Sequence, residues 1–390
     1  MKGGRTLLRP RAVFFDVGGV LSESPLLAIS RFERETLPRP LPPAYVGVAI
    51  AAAGEEGLFQ RLERGEERLG AKFLDRFEEY LCGDQAKRAY VEYVAKRAGK
   101  QRSSSWVKLK DRPGVAAAAA AVASIGPVDA TPEQAATEAV VAAVAAAAAT
   151  EAAEAAVAGI DAVDVLELFR CIAAAARAPV PAMIAAAREL RREGLMVAAV
   201  SNDFMTERGF VLGRPRRNSA AKPAEEEGVR LGKVEEELVI ADGFASAKRN
   251  AETDAAYAGS GRLHVRAERG LARGGRGGGS GGGGGVYSRL PDLCDAVVLS
   301  SRSGCRKPGR QIYEDACKAL GVSATEAVFV DDIRANIRAA EALGMRTVWV
   351  RPGGVEELRT ALAELEAITG VNVAGEGGRV DGVRRPAGKL

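Results

Sequence analysis

The first residue whose type and position could do chemistry is Asp16, which follows a short apolar segment and precedes a pair of glycines. Residues 12–15 carry no charge and include two phenylalanines, which is typical of a buried strand in a parallel sheet. Asp16 would then lie at the carboxyl end of that strand, the edge where open α/β sheets bind ligands. Gly18 and Gly19 allow the backbone to turn sharply and to approach whatever the carboxylate contacts. A buried carboxylate is costly unless a cation or hydrogen bonds compensate its charge.

Polar residues follow three further apolar segments. Ser201 and Asn202 follow residues 195–200, Lys307 comes shortly after residues 296–300, and Asp331 and Asp332 follow residues 327–330. Each feature alone is also explained by a turn, a solvated loop or a helix cap. Together they should converge on one crevice, because parallel strands end at the same edge of a sheet. Carboxylates suit Mg²⁺, while lysine, hydroxyl and amide groups suit phosphoryl oxygens, so the set predicts a phosphate and Mg²⁺ site with Asp16 as the attacking group.

The elements that must position these residues alternate between strands and helices. Helical patterns end at Gly194, Gly321 and Gly344, a fifth strand is predicted at residues 346–350, and a last helix at 355–368. This alternation predicts an α/β fold with a parallel sheet and right-handed crossovers.

The predicted domain organisation is discontinuous. The core consists of residues 1–25, 181–204 and 290–370, and residues 26–180 form a helical cap with an Ala-rich, low-complexity insertion at about 99–159. Residues 205–289 lack a periodic apolar pattern and contain a glycine run, which predicts a disordered Gly/Arg-rich insertion. Residues 371–390 are predicted to be a flexible tail.

Composition excludes several kinds of site. Hydrophobic residues make up 47% of the 390-residue chain, but aromatic residues are only 5%, so Ala-rich segments inflate the apparent core. The single histidine, His264, excludes multi-histidine metal sites and argues against a Ser–His or Cys–His nucleophile. The five cysteines form no CxxC pair. The net charge of +4 does not lead us to expect a nucleic-acid partner. The apolar run at residues 139–149 is too short to cross a bilayer, so we expect no membrane partner and a cytoplasmic protein. The oligomeric state stays open.

Four segments resemble the haloacid dehalogenase-like (HAD) superfamily of hydrolases. They are Phe15-Asp-Val-Gly-Gly-Val-Leu21, Val200-Ser-Asn-Asp-Phe204, Gly304-Cys-Arg-Lys-Pro308 and Val328-Phe-Val-Asp-Asp-Ile-Arg-Ala-Asn336. Within the superfamily the chain is most similar to the phosphatase domain of soluble epoxide hydrolases and to the domain that precedes some acyl-CoA dehydrogenases. The resemblance implies a Rossmann-like core with a helical cap, Mg²⁺ as cofactor and a small phosphorylated substrate.

The same resemblance implies a role for each site residue. Asp16 and Lys307 would be catalytic, with Asp16 as the nucleophile. Ser201, Asn202 and Lys307 would contact the phosphate. Asp16, the backbone carbonyl of Gly18, and Asp332 would hold the metal, with Asp331 and Asn336 supporting them.

One departure from the family pattern concerns the general acid. Phosphatases of this superfamily usually carry a second aspartate two residues after the nucleophile, and that position is Gly18 here. General acid–base catalysis contributes roughly 10²–10⁴-fold, so a good leaving group would tolerate its loss best. Glu23 or Asp203 could substitute as the acid. Two alternatives stay open: a module that binds phosphate and Mg²⁺ without turnover, and a metal-independent dehalogenase. The cap matches the family poorly, so the sequence does not identify the substrate.

Overall fold

The computed structural model describes residues 9–35, 40–100, 146–213, 265–266 and 285–373, of which residues 99, 100, 265 and 266 are described by backbone only. Its centre is a six-stranded sheet in the order β3-β4-β2-β1-β5-β6. The strands are β1 (Ala12–Phe15), β2 (Met196–Ser201), β3 (Val265–Arg266), β4 (Ala296–Leu299), β5 (Ala327–Asp331) and β6 (Arg346–Trp349). All neighbours pair in parallel except β3, which is antiparallel to β4. The predicted α/β fold with a parallel sheet is confirmed.

The sheet is buried on both faces because its strands are apolar on both faces. Val13 and Phe15 belong to one core cluster, and Phe14 belongs to the other. β1 is an inner strand, with Phe15 aligned to Ala199 of β2 and to Val330 of β5. This register brings the polar residues that end β1, β2 and β5 to one edge.

Helices alternate with the strands along the chain. They are α1 (Pro25–Glu35), α2 (Tyr45–Ala52), α3 (Leu58–Glu63), α4 (Ala71–Cys82), α5 (Asp84–Lys100), α6 (Val165–Arg177), α7 (Pro181–Arg192), α8 (Val286–Leu293), α9 (Ser300–Ser303), α10 (Arg310–Leu320), α11 (Arg334–Ala342) and α12 (Val355–Thr369). Residues 146–158 are also helical. No helix among the described residues is long and apolar enough to span a membrane.

The chain divides into two compact units. One comprises residues 1–32, 55–74 and 166–390 and contains the sheet, and the other comprises residues 33–54 and 75–165. The second unit is all helical in its described part. There the Glu33 carboxylate accepts hydrogen bonds from the N–H groups of Ala44 and Val46, both at 2.8 Å, and so caps the start of α2.

The segment predicted to be a disordered insertion, residues 205–289, contains ordered structure at both its margins and within it. Helix α8 begins at Val286 rather than near Leu290, because Val286 shares a buried face with Leu290. The two residues of β3 also fall inside this segment. A strand this short is held by backbone hydrogen bonds to β4, which leave no periodic signal in the sequence. Residues 214–264 and 267–284, together with residues 101–145 and 374–390, lie outside the described part, so the predicted disorder, the Ala-rich insertion and the tail stay predictions there.

Candidate active site

Asp16 lies where β1 ends, between the neighbouring strands. Its N–H donates to the carbonyl of Val330 at 2.9 Å, which extends the sheet by one residue. The side chain is only 8% exposed, and its Oδ1 atom accepts hydrogen bonds from the Val17 N–H at 2.6 Å and from Lys307 Nζ at 2.8 Å. Burial raises the pKa of Asp16 well above its usual value, Lys307 opposes that rise, and Asp331 and Asp332 add to it.

Lys307 connects three strand ends through a single ammonium group. Its Nζ atom lies 2.8 Å from Asp16 Oδ1, from Asp331 Oδ2 and from the carbonyl oxygen of Val200, and the side chain is 1% exposed. Burial alone would lower the pKa of Lys307, but the two carboxylates raise it above the usual lysine value. The residue is therefore a buried, permanently charged ammonium.

Asn202 positions Lys307 through the main chain. The Asn202 amide nitrogen donates to the Lys307 carbonyl at 3.0 Å, and the Lys307 N–H donates to the Asn202 amide oxygen at 2.8 Å. Both polar atoms of the Asn202 side-chain amide are therefore bonded to the main chain of Lys307. Ser201, the last residue of β2, places its Oγ atom 3.0 Å from the hydroxyl of Tyr287.

Asp331 is the most highly hydrogen-bonded carboxylate of the site. Besides Lys307, it accepts from the Ile333 N–H at 2.7 Å and from the Asn336 amide nitrogen, which lies 3.1 Å from each of its oxygens. Asn336 in turn is held at its carbonyl by the Tyr313 hydroxyl at 3.0 Å. With its oxygens engaged in this way, Asp331 is suited to orienting Lys307 rather than to binding a ligand.

Asp332 faces the turn that follows Asp16. Its Oδ2 atom accepts a hydrogen bond from the Ser24 hydroxyl at 2.9 Å. Gly19, at φ +82°, passes so close that a Cβ atom there would lie 2.0 Å from Asp332 Oδ2. Only glycine permits this approach in that conformation.

The charge balance of the site suits a divalent cation. Carboxylate oxygens of Asp16, Asp331 and Asp332 lie within 4.8 Å of one another, and Lys307 is the cation that contacts this group among the described residues. Burial, and after it Asp331, raises the pKa of Asp332 to about 6, and a cation beside Asp332 would oppose that rise. Oxygen ligands of this kind fit Mg²⁺, and the groups that could hold it are Asp16, Asp332 and the carbonyl of Gly18.

The residues named for the general acid lie in different environments. At Gly18, a Cβ atom would lie 2.8 Å from Cδ and from Cγ of Pro25, the first residue of α1. Glu23 is 51% exposed at its side chain and pairs with Arg31 at 3.1 Å on the surface. Asp203 is buried and accepts from the Ser301 N–H at 2.9 Å, while its Oδ2 atom has no hydrogen-bond partner among the described residues.

Two residues of this region were not predicted from the sequence. Ser24 holds Asp332, and Tyr287 lies against Ser201. The only sequence signal at Ser24 is that a serine precedes the proline that begins a helix. Tyr287 follows the glycine run, and the only indication of order there is the apolar spacing of α8.

The raised pKa of Asp332 gives a testable pH dependence. The pKa of Asp332 is higher in the folded state than its ordinary value of 3.8. The contribution of protonated Asp332 to the free energy of unfolding is therefore fully present below about pH 4 and is lost as pH rises through about 6. Without metal, we expect the wild type to lose up to about 3 kcal/mol relative to Asp332→Asn across this window. Urea unfolding in EDTA at several pH values measures the difference, and a constant difference between the two proteins would contradict it.

The close approach of Gly19 to Asp332 gives a second prediction. Gly19→Ala should lose about 1–2 kcal/mol of stability because of its positive φ, and should also displace the Asp332 carboxylate and abolish Mg²⁺ binding. Gly321→Ala is the matched control, since Gly321 has φ +65° with no atom within 4 Å of its Cβ position. Calorimetric titration with Mg²⁺ distinguishes them. Equal Mg²⁺ affinity in the two variants would show that Asp332 does not hold the metal.

The chain matches known proteins over parts of its sequence. Residues 304–371 match a family model described as HAD-hydrolase-like. Over 79 residues the chain is 38% identical to bifunctional epoxide hydrolase 2 of Sus scrofa, a match that covers 20% of this chain and 13% of that protein. Acyl-CoA dehydrogenase family member 10 of Mus musculus is 36% identical over 76 residues, covering 20% and 7%.

A sesquiterpene phosphatase of Aspergillus oryzae is 44% identical over 54 residues, which cover 14% of this chain and 28% of that protein. The chain thus spans less than a third of the length of each of these relatives. Among solved structures, a HAD-like family hydrolase from Porphyromonas gingivalis covers 92% of this chain and 98% of its own, with 14% identity and a TM-score of 0.34.

Proposed function

We propose that this chain, a member of the HAD-like hydrolase superfamily, is a Mg²⁺-dependent phosphatase that acts on a small phosphorylated metabolite through an aspartyl-phosphate intermediate. The observation that carries the proposal is the Lys307 ammonium held at 2.8 Å from both Asp16 and Asp331. A buried ammonium beside a nucleophilic carboxylate is suited to neutralising the oxygens of a phosphoryl group. The phosphatase relative, although it aligns over a short segment, supports the same reaction class.

In this proposal Asp16 forms the covalent intermediate. Among the described residues, the contacts of its carboxylate fall on Oδ1, so Oδ2 is the oxygen that we expect to attack phosphorus. The bond between phosphorus and the leaving-group oxygen breaks, and water then hydrolyses the aspartyl-phosphate and restores Asp16. Lys307 and the Ser201 hydroxyl would contact the phosphoryl oxygens as charge develops.

Magnesium is the cofactor whose binding the acidic cluster supports best. When bound, Mg²⁺ would supply Lewis-acid stabilisation of the phosphoryl group. This chain's own contribution is to hold Asp332 through Ser24 and to bring the Gly19 turn close to it. Asp331 stays bonded to Lys307 and Asn336 and keeps the ammonium in place.

The missing carboxylate at Gly18 narrows the class of substrate. Without a general acid, the leaving group departs as an anion. The leaving group of an acyl phosphate is a carboxylate, and that of a sugar 1-phosphate is a stabilised hemiacetal oxyanion. The leaving group of a simple alkyl phosphate is a more basic alkoxide. We therefore expect the enzyme to prefer acyl and anomeric phosphates by roughly 10²-fold or more, the scale of general acid catalysis.

The test is hydrolysis of acetyl phosphate, p-nitrophenyl phosphate and glycerol 3-phosphate, each with Mg²⁺ and with EDTA. Mg²⁺-dependent turnover that falls steeply from acetyl phosphate to glycerol 3-phosphate is the expected result. Binding of phosphate with Mg²⁺ but no turnover would instead establish the non-catalytic module. Turnover of a 2-haloacid in EDTA would establish the dehalogenase.

A further inference from the structure

Tyr287 is a polar residue beside the site to which no part of the proposed reaction assigns a role. It is the second residue of α8, half-buried, and packs partly against the apolar cluster on that face of the sheet. Its hydroxyl lies 3.0 Å from Ser201 Oγ. The tyrosine therefore delivers one polar atom to the end of β2 while the ring is anchored by packing.

The phenol stays protonated in this position. Burial raises the pKa of Tyr287 above its usual value, and the carboxylates of Asp203, Asp16 and Glu63 raise it further, while Ser201 opposes the rise. Asp203 lies two residues after β2, Asp16 follows β1, and Glu63 is the last residue of α3. A neutral phenol surrounded by carboxylates is a hydrogen-bond donor and a poor acid.

The direction of the hydrogen bond between Tyr287 and Ser201 follows from what each hydroxyl can do. Either atom could donate at 3.0 Å. Ser201 also lies 3.3 Å from its alternative acceptor, the Asn202 carbonyl, at the long end of hydrogen-bond distances. When a phosphoryl oxygen is present, the single Ser201 proton has a charged acceptor, and a charge-assisted bond is stronger than either neutral one. Tyr287 is then the group that can donate to Ser201 Oγ.

We infer that Tyr287 is a positioning residue. Its hydroxyl donates a hydrogen bond to Ser201 Oγ and so directs the Ser201 hydroxyl proton at the phosphoryl group of the substrate. This inference rests on the proposed phosphatase function and adds a residue to it. A hydroxyl that accepts a hydrogen bond becomes a better donor, because the bonds polarise one another. The ring packing fixes the phenol, so Ser201 is set before substrate arrives.

The experiment is a double-mutant cycle between Tyr287→Phe and Ser201→Ala in the full chain with Mg²⁺. The measured quantities are kcat and KM for acetyl phosphate and the dissociation constant of inorganic phosphate by calorimetry. Tyr287→Phe should weaken phosphate binding about 3- to 10-fold, the value of one hydrogen bond. In the Ser201→Ala background the same change should have no effect, because the hydroxyl that Tyr287 bonds to is gone.

The matched control is Tyr80→Phe, which also removes one tyrosine hydroxyl, the one bonded to the Ala49 carbonyl at 2.6 Å. Tyr80→Phe should leave phosphate binding unchanged. It therefore distinguishes a general effect of losing a tyrosine hydroxyl from a loss of Ser201 positioning. Urea unfolding of all variants shows whether each is folded.

Each outcome decides between the two proposals. If the wild type turns over but Tyr287→Phe binds phosphate as the wild type does, the positioning role is wrong and the phosphatase stands. If the effect of Tyr287→Phe persists undiminished in the Ser201→Ala background, Tyr287 acts on the substrate directly and the inference is also wrong. If the wild type neither hydrolyses acetyl phosphate nor binds phosphate, both the proposed function and this inference are wrong.

Discussion

Asp16→Asn is expected to lower phosphatase turnover by at least about 10⁴-fold, the scale seen when a covalent nucleophile is removed. The amide keeps the volume and can still accept hydrogen bonds from Val17 and Lys307, but it cannot form the acyl phosphate. Binding of inorganic phosphate should persist, because Lys307 and Ser201 remain. Steady-state assays with acetyl phosphate, with calorimetry of phosphate binding, check both parts.

The same substitution should stabilise the metal-free protein at neutral pH. Because burial raises the pKa of Asp16, the stabilisation given by its protonated form is lost as pH rises, and the ionised form then opposes folding. An asparagine avoids that cost. Asp292→Asn, which makes the same chemical change at an exposed position of α8, is the control and should have little effect. Retained turnover in Asp16→Asn would contradict the role of Asp16 as nucleophile. A loss of stability would contradict the expected cost of burying its ionised form.

Lys307→Met is expected to destabilise the metal-free protein by about 3–5 kcal/mol, the cost of removing one partner from a buried ion pair. Methionine fills much of the space but leaves the carboxylates of Asp16 and Asp331 without a cation. The loss should be largest above neutral pH and smaller in acid, because burial raises the pKa of Asp16 and favours its neutral form there. Urea unfolding at pH 5 and pH 8 measures it.

Lys318→Met is the comparison for this variant, since Lys318 is exposed in the last turn of α10 and should cost well under 1 kcal/mol. Mg²⁺ should restore part of the stability lost in Lys307→Met by supplying positive charge to the same carboxylates. A loss as small as that of Lys318→Met would mean that the buried ion pair does not stabilise the fold.

The sequence predicted the five parallel strands well because each contains a short, apolar segment. The predicted strand at residues 327–330 differs from β5 by one residue, and that one residue is Asp331. Site residues were predictable where they follow such a segment, since the chain then fixes which edge they reach. Lys307 does contact both Asp16 and Asp331.

What the sequence could not predict depends on packing between distant segments. Tyr287 reaches Ser201 only because α8 is ordered from Val286, just after a glycine run that obscures it. The Asn202 side chain suggested a phosphate contact, yet its amide is taken up by the main chain of Lys307. No local sequence pattern indicates either contact, because each joins residues that are far apart in the chain and meet only in the folded structure.

The contact between Gly18 and Pro25 has an evolutionary consequence. A Cβ atom at position 18 would lie 2.8 Å from the Pro25 ring, and a proline that begins a helix is itself favoured. An aspartate gained at position 18 would therefore be harmful while Pro25 is present and useful only after Pro25 has changed. The order of substitutions is constrained, so a change at position 25 would have to come before a carboxylate at position 18.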